Sequence, residues 1–210
     1  MSVINKNVTI TGAAGGIGRA AALAFAKNGF GVLINYRTAK DAAEKLCEKI
    51  NSQGGRAVRF KADVSVRGDV DEMTDFARRE LGAIGVLINN AGIAQQKMFC
   101  DITEQDFDRM MGVTVKGAFN CTQAALPDMV HDKSGKIINV SSMWGVSGAS
   151  CEVHYSAAKS ALIGLTKALA RELAPSNIQV NCIAPGVIDT DMNASLGSET
   201  LELLKEESPM

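Results

Sequence analysis

Short runs of β-branched and other apolar residues alternate with longer stretches of helical periodicity along nearly the whole chain. The runs predict strands at Val8–Thr11, Val32–Ile34, Ala57–Phe60, Val86–Ile88, Lys136–Val140 and Ile178–Ile183. The stretches between them predict helices near Ile17–Phe25, Ala39–Ser52, Val66–Leu81, Gln105–Met110, Val115–Val130 and Tyr155–Leu173. Strands separated by helices pair in parallel through right-handed crossovers. The alternation therefore predicts an α/β fold, a doubly wound parallel sheet with helices on both faces.

The chain is long enough for one domain with its own core, at 210 residues. No Pro-rich linker, repeat or low-complexity segment interrupts the alternation, so we expect a single domain over residues 1–210. Its 22 basic and 23 acidic side chains are balanced, and no basic block is present. This composition argues against a nucleic acid or an acidic membrane surface as partner and favours a small neutral or anionic ligand.

Patterns that the sequence lacks bear on the location of the protein, the state of its thiols and metal binding. No signal-peptide pattern follows Met1, and no apolar run approaches the ~18 residues of a membrane span, so we predict a cytoplasmic protein. The five cysteines are scattered and form no C-x-x-C pair, which predicts reduced, mostly buried thiols. Neither of the two histidines has ligand spacing, so we expect no metal site.

A glycine-rich turn, Thr11 to Gly18, joins the first predicted strand to the first helix. Glycine permits a tight turn and a close approach of the backbone, and a helix N-terminus presents free N–H groups to a pyrophosphate. A plain strand-to-helix turn would use glycine too, but the position after the first strand of an α/β chain favours dinucleotide binding. The spacing of Gly12, Gly16 and Gly18 is G-x-x-x-G-x-G, one residue longer than the usual dinucleotide fingerprint.

This turn and three later motifs resemble the short-chain dehydrogenase/reductase family. The later motifs are Asn89-Asn90-Ala91-Gly92 after the fourth strand, the series Ser142, Tyr155 and Lys159, and Pro185-Gly186 followed by Thr190 after the sixth strand. The segments Asn35-Tyr36 and Ala184–Met192 look most like the 3-oxoacyl-[acyl-carrier-protein] reductase branch of this family. The resemblance implies a Rossmann fold and a dinucleotide-binding domain with a built-in catalytic site.

The resemblance assigns the catalytic roles to three residues. Tyr155 gives a proton to a carbonyl oxygen, Ser142 hydrogen-bonds that oxygen, and Lys159 holds the ribose of the cofactor. Tyr155 and Lys159 lie four residues apart on one predicted helix, so both project from the same face. A phenol has an ordinary pKa of ~10, and we expect the adjacent ammonium and the positive nicotinamide ring of the oxidised cofactor to lower it.

The resemblance also implies a set of cofactor-binding residues. Asn90 should approach the adenosine ribose, Asp63 and Val64 the adenine edge, and Ile188 and Thr190 the nicotinamide amide. The full set is Gly12, Gly16, Ile17, Gly18, Arg37, Asp63, Val64, Asn90, Ala91, Gly92, Tyr155, Lys159, Pro185, Gly186, Ile188 and Thr190.

The second strand is followed by the residues that select the cofactor. An NAD-dependent site places an acid there for the ribose 2′-hydroxyl, whereas a 2′-phosphate requires a positive charge. The segment Asn35 to Thr38 contains no acid and has a guanidinium at Arg37, so we predict NADP(H). Gly15, however, stands where many NADP-dependent relatives carry a basic residue.

Thr114 departs from the family pattern. Relatives carry Asn at this place in the helix before the fifth strand, where the Asn supports a kink and its backbone carbonyl anchors a water of the proton relay. We include Thr114 among the catalytic residues because any residue supplies that carbonyl, and a Thr hydroxyl can bond a local carbonyl and bend a helix. We expect activity to be retained or moderately reduced.

The end of the chain is a second departure. Relatives continue past a segment like Pro209-Met210 into another helix and a seventh strand, so a final helix and strand are expected to be missing here. The run Glu199 to Glu207 predicts an amphipathic helix, which the resemblance identifies as a flap over the substrate. The family also implies a homo-dimer or homo-tetramer.

Three functions stay open at this point. The first is an NADPH-dependent reductase of 3-oxoacyl thioesters on acyl carrier protein, which Lys133 and Lys136 near the pocket mouth would help to bind. The second is a dehydrogenase or reductase of a free alcohol or ketone, such as a steroid, sugar or polyol. The third is a weakly active NADP-binding regulator, which Thr114 and the short end would favour.

Overall fold

The computed structural model describes residues 4–188 and 190 and contains a six-stranded parallel sheet covered by helices on both faces. The strands are β1 (Asn7–Ile10), β2 (Gly31–Tyr36), β3 (Arg56–Lys61), β4 (Val86–Asn89), β5 (Gly135–Val140) and β6 (Ile178–Ile183). The α-helices are α1 (Gly16–Lys27), α2 (Lys40–Ser52), α3 (Arg67–Leu81), α4 (Glu104–Met111), α5 (Gly117–Asp132), α6 (Trp144–Ser147) and α7 (Val153–Leu173). Short 3₁₀ helices occupy Phe99–Asp101 and Ala174–Ser176.

The strand order is β3-β2-β1-β4-β5-β6, and every pairing is parallel. Val8 of β1 pairs with Val32 on one side and Val86 on the other. The chain winds outward from β1 to β3, then returns across β1 to start β4, so the order reverses between β1 and β4. The prediction of a doubly wound parallel sheet is confirmed, and the reversal point marks where such folds bind ligands.

Each sheet face has its own apolar core because successive strand residues point to opposite faces. Val32 and Ile34 pack with α1 and α2 residues on one face, whereas Leu33 packs with α3 and α5 residues on the other. Burial of central strands on both faces explains why their sequences are continuous apolar runs rather than alternating ones.

The helices α4 and α5, predicted as separate, are joined without a break by a π-helical turn, Gly112–Lys116. In this turn the Gly117 N–H donates to the Gly112 carbonyl, five residues back. The helix predicted near Val115–Val130 begins at Gly117, and the prediction missed the π-helical turn before it. The described part of the chain contains no helix long and apolar enough to cross a membrane.

Candidate active site

Two adjoining clefts open where the carboxyl ends of β1 and β4 meet. The larger has a volume of about 680 Å³ and runs from the glycine turn to the end of β2, and the smaller has about 130 Å³ and lies beside α7. Residues that line both are Ile17, Asn90, Gly92, Ile93, Ala94 and Thr190. The elongated shape with one narrow end suits an extended ligand whose terminal ring lies in the smaller cleft.

The glycine turn forms the wall shared by the two clefts. Gly12 and Gly16 have φ angles of 61° and 50°, in the left-handed region that favours glycine. A Cβ on Gly18 would lie 2.6 Å from the Asn90 amide nitrogen and 2.7 Å from the Gly12 carbonyl oxygen, so no larger residue fits. Gly15 precedes α1 and no side chain caps this helix, which leaves its first N–H groups available to an anion. This cradle fits a dinucleotide pyrophosphate.

Polar side chains from neighbouring strands hold the turn in place. The Thr11 hydroxyl donates to the Ile88 carbonyl at 3.3 Å and accepts from the backbone N–H groups of Asn90 and Ala91, each at 2.9 Å. The Asn90 amide, expected to approach a ribose, instead donates to the carbonyls of Thr11 at 3.0 Å and Gly12 at 3.1 Å. Asn90 still lines both clefts, so its side chain braces the surface that a cofactor would contact.

Asn35 also holds the glycine turn in place, and this role was not predicted from the sequence. Its side chain accepts from the Gly12 N–H at 3.1 Å and donates to the Ala62 carbonyl at 3.1 Å, and its side chain is buried. A polar residue within an otherwise apolar strand, next to a glycine turn, is the signal that would have identified this role.

Arg37 and Asp63 lie together at the far end of the larger cleft. The guanidinium and the carboxylate are 3.5 Å apart, and Asp63 also accepts from the backbone and hydroxyl of Ser65 at 2.9 and 2.6 Å. Burial acts to raise the pKa of Asp63, but the Ser65 hydrogen bonds and the Arg37 charge together lower it below the ordinary value. The Arg37 side chain is 40% exposed, so its charge faces the cleft and solvent.

The smaller cleft brings together Ser142, Tyr155 and Lys159. Ser142 follows β5, and the other two lie one turn apart on α7. The Ser142 hydroxyl accepts from the Trp144 N–H at 3.2 Å, and it lies near enough to the Tyr155 phenol to oppose the rise in the pKa of that group. The Lys159 ammonium donates to the Val140 carbonyl at 2.8 Å and lies 5.6 Å from the centre of the Tyr155 ring.

Burial governs the ionisation of both α7 residues. It raises the pKa of Tyr155 above its ordinary value, against the Ser142 hydrogen bond, and the Glu152 charge raises it further. It lowers the pKa of Lys159 from 10.5 to about 8. The expectation that Lys159 lowers the pKa of Tyr155 is therefore wrong for this structure, because desolvation of the phenolate dominates and the ammonium is directed at the Val140 carbonyl.

The remaining cofactor candidates complete the same walls. Pro185, Gly186, Ile188 and Thr190 line the smaller cleft opposite α7, and the Pro185 carbonyl accepts from the Met143 N–H at 2.9 Å. Met143 and Trp144 also line the smaller cleft. Val64, Ala91 and Gly92 line the larger cleft. Of the segment Ala184–Met192, Asp189, Asp191 and Met192 lie outside the described residues, as does the predicted flap Glu199 to Glu207.

Thr114 is buried inside the π-helical turn beneath Tyr155. Its hydroxyl contacts the Met110 sulfur at 4.0 Å rather than a carbonyl, so the expected hydroxyl-to-carbonyl bond is not formed. Met110 in turn packs against Tyr155 and Ala158 of α7. The π-helical turn forms here with Thr in place of the family Asn, and its backbone hydrogen bond runs from the Gly117 N–H to the Gly112 carbonyl.

The structure also places three further residues, His154, Lys133 and Lys136. His154 is buried and bonded to Gln95 at 2.9 Å, which is a structural role. Lys133 and Lys136 lie before and at the start of β5, at the opposite end of the sheet from the clefts, so placing them near the pocket mouth was wrong.

All five cysteines are free thiols, but only Cys121 is buried, so the prediction of mostly buried thiols was wrong. Within residues 4–188 and 190, no group of three or more His, Cys, Asp or Glu side chains is arranged to hold a metal ion.

The chain is similar in sequence to a known protein family and to named relatives. The family model described as short chain dehydrogenase matches residues 6–201. The chain is 39% identical over 207 residues to a 3-oxoacyl-[acyl-carrier-protein] reductase FabG of Staphylococcus epidermidis, covering 99% of this chain and 85% of the relative. It is 38% identical over 192 residues to a 3-oxoacyl-[acyl-carrier-protein] reductase of Synechocystis, covering 91% and 78%.

A solved structure with the same architecture is a dehydrogenase/reductase from Sinorhizobium meliloti. The two share 33% sequence identity with a TM-score of 0.91, over 99% of this chain and 82% of that one.

Proposed function

The chain belongs to the short-chain dehydrogenase family and is an oxidoreductase of CH–OH and C=O groups, and from this premise we propose that it reduces 3-oxoacyl thioesters on acyl carrier protein with NADPH. One observation carries the proposal. The side chains of Ser142, Tyr155 and Lys159 lie together in a small pocket that adjoins a cleft suited to a dinucleotide.

The proposed chemistry uses the two hydroxyls to hold a ketone oxygen. Because burial raises the pKa of Tyr155, the phenol keeps its proton at neutral pH and donates it to that oxygen as the carbon is reduced. The Ser142 hydroxyl donates a second hydrogen bond to the same oxygen and so stabilises the negative charge that develops on it. Lys159 has a pKa of about 8, so it changes charge near the operating pH, and its ammonium lies 5.6 Å from the centre of the Tyr155 ring.

Bound NADPH would supply the hydride. The glycine turn with Ile17 and Asn90 would hold its pyrophosphate end, and Asp63 and Val64 the adenine. Ala91, Gly92, Pro185, Gly186, Ile188, Thr190 and Lys159 would line its nicotinamide end. These residues also support the proposal that residues 1–210 form one dinucleotide-binding domain with its own catalytic site.

NADPH rather than NADH is favoured by the charge at the end of β2. The last β2 residue and the loop after it contain no acid, and Arg37 presents a partly exposed guanidinium to the cleft. A guanidinium can bind a 2′-phosphate with two hydrogen bonds. Its existing pair with Asp63 has a distance of 3.5 Å, which is long for a charged hydrogen bond, so Arg37 can turn to a phosphate at little cost.

Acyl carrier protein is proposed as the carrier of the substrate because the relatives from two bacterial genera carry this activity in their names. A cytoplasmic location and a homo-dimer or homo-tetramer stay predictions from the sequence.

The proposal is tested by following oxidation of NADPH, and separately of NADH, with an acetoacetyl thioester of acyl carrier protein and with a panel of free steroid, sugar and polyol ketones. We expect the highest kcat/KM for NADPH with the thioester. A free ketone as the preferred substrate would support the second function. Tight NADPH binding with no turnover of any substrate would instead support a regulator.

A further inference from the structure

Glu152 places a negative charge in the pocket where the ketone would bind. Of the described residues that line the smaller cleft, Glu152 is the acid and Lys159 is the cation. The Lys159 ammonium is committed to the Val140 carbonyl at 2.8 Å. Glu152 has only a long contact of 3.5 Å, from the Gln96 side-chain amide.

The charge of Glu152 reaches the reacting group. Its side chain is half-buried, and burial raises the pKa of its carboxyl. The same charge raises the pKa of Tyr155, three residues further along the chain, so it acts on the hydroxyl that would hold the ketone oxygen. An anionic substrate group next to the ketone would therefore meet a like charge in partly desolvated surroundings.

The helix α7 provides an opposing effect that is smaller. Glu152 is the N-cap residue of this helix, whose N-terminus carries about half a positive charge and would attract an anion. The full negative charge of Glu152 exceeds that half charge. The Lys159 ammonium also attracts anions, but its pKa of about 8 leaves it only partly charged at pH 8, and it is held against the Val140 carbonyl. Glu152 therefore shifts the balance of charge in the pocket against anions.

We infer that Glu152 is a specificity-determining residue that admits neutral 3-oxo esters and thioesters and rejects free 3-oxo acids. This inference rests on the proposed function and extends it. A 3-oxo acid carries its carboxylate two bonds from the ketone carbon, so a ketone bound at Tyr155 keeps the carboxylate in the cleft that Glu152 lines. A thioester at the same position is neutral, and its carrier extends out of the pocket.

The test compares two substrates that differ in charge and little else, acetoacetate and methyl acetoacetate, with NADPH at pH 8. We expect wild-type kcat/KM to be at least about tenfold higher for the methyl ester, as repulsion between nearby like charges in a partly desolvated site predicts. Equal values for wild type would overturn the inference without any variant.

The variant Glu152→Gln keeps the shape of the side chain and removes its charge. We expect it to raise the rate on acetoacetate more than the rate on methyl acetoacetate, and so to bring the ester-to-acid ratio close to one. A purely structural role would change both rates equally and leave the ratio unchanged, which would contradict the inference. Glu172→Gln is the matched control, since it makes the same change on the exposed end of α7, ~30 Å away, and should keep the wild-type ratio.

A binding readout separates this inference from the proposed function. Trp144 is the single tryptophan of the chain and lines the same pocket, so quenching of its fluorescence reports occupancy without turnover. Turnover of the thioester with an unchanged ratio in Glu152→Gln would overturn only the inference. Absence of turnover with tighter binding of methyl acetoacetate than of acetoacetate would overturn the proposed function and support the charge selectivity.

Discussion

Lys159 is held in the fold at a cost in stability. Its side chain is 5% exposed, and the lowering of its pKa from 10.5 to about 8 corresponds to about 3 kcal/mol at neutral pH. The hydrogen bond to the Val140 carbonyl recovers only part of this cost. A buried ammonium with a strongly lowered pKa, lying in a pocket beside a tyrosine, is typical of a functional site.

Replacing Lys159 with Met tests this account of the residue. We expect the free energy of unfolding at pH 7 to be unchanged or higher, and turnover to fall at least ~100-fold. Between pH 8 and 10.5 the unfolded wild type binds more protons than the folded one, so wild-type stability should rise with pH relative to the variant. Urea denaturation at pH 7, 8 and 9.5 measures both effects. A loss of more than about 2 kcal/mol, or no pH dependence of the difference, would contradict it.

At the scale of single elements, a π-helical turn joins α4 and α5 and contains Thr114, where the family pattern has an Asn. Thr114 makes no hydrogen bond to a carbonyl, and the turn is fixed by backbone bonds and by Met110 packing under Tyr155. The position of Tyr155 therefore depends on the turn rather than on the side chain at position 114.

The variant Thr114→Asn restores the family residue and is expected to change kcat by less than about threefold, since the turn already has its bent shape. Steady-state kinetics with the thioester measure this, and a thermal melt checks that the buried side chain is accommodated. A tenfold gain in kcat would show that Thr114 limits the reaction and that the side chain matters.

Most strands and helices were predictable from the sequence, because the spacing of their apolar residues follows the side of each element that is buried. The predicted strands and longer helices agree with the observed bounds within two residues, as for β6 and α7. The π-helical turn and the short α6 were not predictable, because Gly112–Lys116 reads like ordinary helix and the choice of a hydrogen bond over five residues depends on tertiary packing.

At the scale of the whole molecule, the site follows from the topology. Gly12, Asn90, Ser142 and Pro185 are far apart in sequence, but each follows a parallel strand, so their loops meet at one end of the sheet. The direction of the Asn90 amide and the raised pKa of Tyr155 could not be predicted, since both depend on three-dimensional contacts. The location of Lys136 was predictable from the direction of β5 and was misjudged.

The most direct test of the central claim is NADPH oxidation by wild type and Tyr155→Phe with an acetoacetyl thioester of acyl carrier protein. Removing one hydroxyl deletes the proposed proton donor and leaves the ring to pack against Met110 and Ala158. We predict that kcat falls at least ~100-fold while NADPH binding changes less than about threefold. A Tyr155→Phe protein that turns over at a rate near wild type would contradict the assignment of this pocket as the site of carbonyl reduction.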